Sequence, residues 1–215
     1  MVINGIDYRL MVPPIEFNDY KDLNKKEAEI YFQWYISEID KRISQLEKIV
    51  HVDDNSIQFD FSPESLIPLW GWYEGKIMLE KKTKEEMEQE ILFHSEYVKK
   101  FNERKTPKEI RLIVLESFGI EDTKISIQTL ALCMDIAIYF AETVRKNNCE
   151  KIHWGYVTKP KNHASINEPV LLGFNGGVDL DPRHIIHVCT LRSIDEKNNN
   201  ELYDTYNIWI DDMIE

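Results

Sequence analysis

The sequence predicts an α+β fold, with a helical N-terminal half and a long buried helix packed on a small C-terminal antiparallel sheet. Three observations predict it. Residues 125–147 are nearly all apolar over a length that suits a helix rather than a strand. Three short strand-like runs follow, at 153–158, 169–174 and 185–191. They are separated by turn-rich pieces: Lys159-Pro160-Lys161-Asn162, Asn175-Gly176-Gly177 and Asp181-Pro182. Upstream of residue 105, apolar residues recur at steps of three and four. One domain spanning 1–215 is expected, its helical part about 1–105 and its α+β part about 106–215.

Each element has its own signal. Pro13-Pro14 keeps residues 1–20 irregular or extended. Asn24, with Glu27 three positions on, opens a helix as a capping box does. Its stripe is Phe32, Ile36, Ile39, Ile43, Leu46 and Val50, and Tyr31, Trp34 and Tyr35 make its first half the more covered. Residues 53–56 form a loop, and the alternation over 57–61 predicts a short strand. Ser62-Pro63-Glu64 starts the next helix, with Leu66, Leu69, Trp70 and Tyr73 inward and Pro68 and Gly71 shortening or bending it. Thr83 caps a third helix with Met87, Ile91 and Val98 inward. Thr106-Pro107-Lys108-Glu109 opens a fourth, ending at Gly119. Asp122 or Thr123 is expected to cap the long helix, on which Gln128, Asp135 and Glu142 share one face as a narrow polar stripe. After the loop Asn198-Asn199-Asn200, the spacing of Leu202, Tyr206, Trp209 and Met213 predicts a terminal helix.

Composition narrows the function classes. With 215 residues and 43% apolar content, the chain can bury roughly 70% of its unfolded surface without a disulfide or metal staple. Cys133, Cys149 and Cys189 are odd in number and form no CxxC pair, so a reducing, cytoplasmic location is expected. No basic segment followed by an apolar run marks the N-terminus as a signal peptide. The longest apolar run, 130–141, is interrupted by Asp135 and falls short of the ~20 residues a membrane span needs. A net charge of −12 repels phosphates and argues against nucleic-acid binding over most of the surface. The charge is uneven. Residues 193–215 hold seven acids against one base, whereas 145–192 hold seven bases against four acids. Either the tail folds over the sheet, or it presents an acidic surface to a basic partner.

No GxSxG, HExxH, P-loop or GxGxxG pattern occurs, and no catalytic residue or cofactor is assigned. His184 and His187 sit in a run whose Ile185, Ile186, Val188 and Cys189 favour strand. The two rings are then expected on opposite faces, which argues against a chelating pair. His187 and Cys189 would share a strand face, but two ligands do not complete a zinc site, and none is predicted. Asp135 and Glu142 lie roughly 10 Å apart along a helix axis, too far to grip one ion together. They are expected as a solvated or salt-bridged stripe, unless Asp135 is buried, which would point to a partner group and a functional site. Cys133 reads as a core residue. Trp70 and Tyr73 share a helix face while Trp72 points elsewhere, making Trp72 a candidate interface anchor. Trp154 and Tyr156 share a strand face and are expected to cover the long helix. The candidate binding residues are Trp72, Asp135, Glu142 and the tail acids Asp211 and Asp212.

The segment Asp135-Ile-Ala-Ile-Tyr-Phe-Ala-Glu142, followed by Trp154-Gly155-Tyr156, Pro169-Val170-Leu171 and Asp181-Pro182, resembles small acidic bacterial proteins found beside polymorphic toxins, many taken to be immunity proteins. The resemblance covers roughly residues 125–190 and implies a non-catalytic protein that binds another protein. It transfers no functional residues. Three readings stand at this point. The first is a cytosolic protein-binding module, an immunity-type inhibitor docking on a basic toxin by charge complementarity. The second is a metal-dependent hydrolase with a non-standard site using Asp135, Glu142 and a histidine. The third is a structural or phage-related assembly protein. The first requires an interior closed behind the sheet, with no deep cleft in which Asp135 or Glu142 converges with a histidine, and the sequence leaves the oligomeric state open.

Overall fold

Asn24 starts the first long helix by satisfying backbone groups a helix leaves unpaired. Its side chain accepts from the N–H of Lys26 and of Glu27, and the Glu27 carboxylate accepts from the N–H of Asn24. Helix α1 then runs Lys25–Asp53 in the computed structural model, which describes residues 1–213 and side chains as far as Asp211. Its buried face is Tyr31, Tyr35, Ile39, Ile43, Leu46 and Val50. In the first half this face is turned from the expected one: Phe32 and Ile36 are half-buried, and the two tyrosines take the core side.

By its contacts the chain divides into two compact units, Met1–Ile77 with Ile127–Glu215, and Met78–Ser126.

In the larger unit, Ser62 caps a 3-10 turn that leads into α2 (Leu66–Glu74), whose Leu66, Leu69, Trp70 and Tyr73 are buried as expected. Helix α5 (Ile127–Asn147) is the centre of the core: Ile136 to Ala141 is buried without a break, and the helix packs on α1, α6 (Pro182–Asp195) and α7 (Glu201–Met213). By length and composition α5 could cross a membrane, contrary to the shorter span read from its apolar run. Most of it is covered by protein instead. Strand β5 (His153–Tyr156) pairs antiparallel with β6 (Pro169–Leu172), and Leu171 makes one further antiparallel bridge to Leu180. The chain reverses through Asn175-Gly176-Gly177, where Gly176 and Gly177 take φ of +71° and +70°.

The expected third strand, 185–191, is a helix. Asp181 accepts from the N–H of Arg183 and of His184, and Pro182 occupies the first turn. Asp181-Pro182 is thus a cap–proline helix start rather than a plain turn. The buried residues Ile186, Cys189, Thr190 and Ser193 then follow helical spacing. The tail helix α7 packs on the core through Leu202 and Tyr206.

Two smaller expectations also change. Residues 57–61 form no strand. Phe61 takes φ of +60° and stacks on Tyr139 at 5.0 Å, with Phe59 edge-on to the same ring. The first residues form a hairpin, β1 (Val2–Ile3) with β2 (Ile6–Asp7), around Asn4-Gly5 at φ +50° and +76°.

The smaller unit joins β3 (Leu79–Lys81) to β4 (Thr123–Ile125) around helices α3 (Lys84–Phe101) and α4 (Pro107–Ser117). Thr83 and Thr106 form full capping boxes. Thr123 lies in β4 rather than capping α5, because residues 123–125 pair with 79–81. The unit's own core is Ile91, Val98, Ile110 and Val114.

Candidate functional site

Asp135 is fully buried, so a plain solvated stripe is not what the fold builds. Its neighbour comes from α1. Arg42 Nε and Nη2 each lie 2.7 Å from one Asp135 oxygen, a two-pronged pairing of fixed geometry. Arg42 also donates to the Arg9 carbonyl and to the Tyr8 hydroxyl, and that hydroxyl lies 2.7 Å from Asp135 Oδ2. Burial pushes the Asp135 carboxyl up, to about 6, against the pull of Arg42 and Tyr8. Burial works against the Arg42 proton too, but Asp135 outweighs it and the net direction is up. Glu142, one polar step along α5, accepts from Arg145 at 2.8 and 2.7 Å and from the Trp154 indole at 2.7 Å. Burial pushes its carboxyl up, yet these donors prevail and hold it below the usual range. The structure gives Asp135 and Glu142 different arginines, and among the described residues no histidine reaches either by hydrogen bond or ion pair.

Trp72 is half-buried, and its indole N–H donates to Asp53 at 2.8 Å, while Lys76 lies over its ring. Asp211 is exposed on α7, and the Asp212 side chain lies outside the described residues. Trp72, Asp135 and Glu142 thus each have a different charged partner and do not form one cluster. Cys133 is buried, and burial pushes its thiol up to about 11, which suits a core residue rather than a nucleophile.

A cleft of about 720 Å³ lies in the larger unit, where the 163–168 loop faces α5 and the start of α6. Leu130, Cys133 and Met134 give it an apolar side; Ser165, Glu168, Asp181, Arg183, His184 and His187 give it a polar one. Because α6 is a helix, His184 and His187 share a face and both line the cleft, reversing the strand-based expectation. Arg183 donates to Glu168 and to the Tyr20 hydroxyl. Its Nε stands 3.6 Å from Asp181 and is buried without a hydrogen-bond partner. Burial and the Asp181 charge, working against Arg183, push the Glu168 carboxyl up to about 7. Among the described residues no group of three or more His, Cys, Asp or Glu is arranged to hold a metal ion. Sequence reasoning missed this cleft. Reading Asp181-Pro182 as a helix start would have placed both histidines on one face.

The smaller unit carries a different feature. Phe93, Tyr97 and Phe101 recur every fourth residue along α3 and are 72%, 55% and 72% exposed. Tyr97 meets Phe101 at 5.3 Å, and Phe118, beyond α4, joins the row against Tyr97 and His94. Ile91 and Val98 are spent on the core, so these rings form a second apolar face on the same helix. Contiguous exposed apolar surface of this kind marks interaction sites. Charge is distributed the other way. Residues 78–126 hold ten bases and eleven acids, and the rest of the chain holds sixteen bases and twenty-seven acids.

No family model, curated protein or solved structure matches the chain.

Proposed function

We propose that the chain is a non-catalytic protein-binding module, an immunity-type inhibitor of a basic protein toxin. The observation that carries this reading is the aromatic row Phe93–Tyr97–Phe101 with Phe118, standing in solvent on a unit with its own core. Rings of this kind supply large contact area at low entropic cost and are enriched at interface centres. The acidic excess of the larger unit complements a basic partner and speeds its capture over distances of about a Debye length. Steering and adhesion thus reside in different parts of the chain. The resemblance of residues 125–190 to proteins encoded beside toxins agrees with this and names where to look for the partner. Asp135, held by Arg42, serves the core in this reading.

The test is binding kinetics against the basic proteins encoded beside this gene. A one-to-one complex is expected, with an on-rate that falls as salt rises. Phe93→Ala with Tyr97→Ala should raise the off-rate at least tenfold and leave the salt slope of the on-rate unchanged. Absence of a stoichiometric complex with each of those proteins at low salt defeats the proposal.

A further inference from the structure

The cleft at the start of α6 is not used by that reading. Its volume of about 720 Å³ falls within the roughly 300–1,000 Å³ of small-ligand sites. Its charges do not balance. Glu168 and Asp181 bring two carboxyls, and Arg183 is the one Lys or Arg among the described residues lining it. That guanidinium is committed to Glu168 and Tyr20, and it makes no hydrogen bond to Asp181. Asp181 is partly compensated by the two backbone N–H groups it caps. Glu168 has Arg183 instead. Burial, joined by the Asp181 charge and opposed by Arg183, still pushes its carboxyl up to about 7, so below that pH it carries a proton.

A ligand that brings its own positive charge would displace that proton. A metal ion suits the site poorly, since among the described residues no third His, Cys, Asp or Glu is arranged with the two acids to hold one. An ammonium group needs fewer acceptors, and the opposite wall is apolar. We infer that this cleft binds a small organic cation, its apolar body against Leu130, Cys133 and Met134 and its protonated amine against Glu168 and Asp181.

The experiment is calorimetric titration of the full chain with hexylammonium, hexanol and hexanoate at pH 8 and pH 6. Hexylammonium should bind one-to-one at pH 8, with hexanol and hexanoate at least tenfold weaker. Lowering the pH adds a proton to Glu168, which shares the cleft with Asp181, Arg183, His184, His187 and Cys133, so binding should weaken at pH 6. Glu168→Gln should weaken it at least tenfold without lowering the thermal midpoint of the free protein. Met134→Trp, which fills the apolar side, should abolish it by a different route. Hexanoate binding as well as hexylammonium, no saturable heat with any probe, or binding that ignores both substitutions would overturn the inference. None of these outcomes touches the α3 aromatic row, so the partner-binding proposal stands or falls separately.

Discussion

Arg42 and Arg183 both hold carboxylates inside the larger unit, and they do so in opposite ways. Arg42 faces one acid, engages both its oxygens and spends its remaining donors on Tyr8 and the Arg9 carbonyl. The cavity beside it is small, about 160 Å³, and mainly apolar. Arg183 faces two acids, leaves Nε without an acceptor and opens on a cleft more than four times larger. A matched pair in a filled interior has nothing left to offer a ligand. A mismatched one beside open volume does. Burial alone therefore does not separate a structural ion pair from a binding site; the balance of charge and the adjoining space do.

The comparison breaks most easily at Arg42. Asp135→Ala strands a buried guanidinium and should cost about 3–5 kcal/mol in urea unfolding at pH 7. Arg42→Met with Asp135→Leu should recover most of that loss, because two apolar groups need no partners. A single-substitution cost below about 1 kcal/mol would mean that Arg42 finds another acceptor or water, and the contrast would fail. Arg183→Met should cost less, about 1–3 kcal/mol by the same measurement, since the cleft lets water reach the acids it abandons.

A smaller effect separates two carboxyls by sign. Glu168 is raised from 4.5 to about 7, so between these values the folded chain keeps a proton that the unfolded chain has lost. Its contribution is complete below 4.5 and is lost as pH rises through about 7. Asp135 acts in the same sense between 3.8 and about 6, so the wild type must be compared with Glu168→Gln directly. That variant should flatten the decline from pH 5 to 8. Glu142 is lowered, so its contribution is present above 4.5 and lost as pH falls through its folded value. Glu142→Gln should flatten the acid side instead. Equal slopes for both variants and the wild type would remove the electrostatic distinction. The smallest effect is expected at Arg111, which pairs with Glu88 in solvent in the smaller unit. Arg111→Ala should leave the stability unchanged within the error of the same assay.

Much of this fold is legible along the chain. Asn24/Glu27, Thr83/Glu86 and Thr106/Glu109 each announce a helix because a capping box joins atoms three residues apart. The α2 face and the apolar length of α5 follow from periodicity in the same way. The failures are equally physical. Ile185 to Cys189 combines β-branched and apolar residues, which favour a strand locally, but the Asp181 cap and the buried row Ile186–Cys189–Thr190–Ser193 prevail. Asn4-Gly5 carries a hairpin signal that Pro13-Pro14 overshadowed. Pairing of 79–81 with 123–125 joins segments more than forty residues apart, beyond any local pattern.

The candidate sites divide along the same line. Trp72 and the Asp135–Glu142 stripe could be named from spacing, but the partner of Asp135 could not. Arg42 lies 93 residues from Asp135. Glu168 and Arg183 meet through the turn of β6 into α6, and the cleft beside them needs α5 as its other wall.

By itself the sequence determined helix starts, apolar faces, net charge and the lack of familiar catalytic motifs, because each depends on residue type and short-range spacing. Only the tertiary structure decided which carboxyls are neutralised and which face open space, and which aromatic rings stay in solvent. Those properties depend on distances between remote segments and on the volume left when they pack.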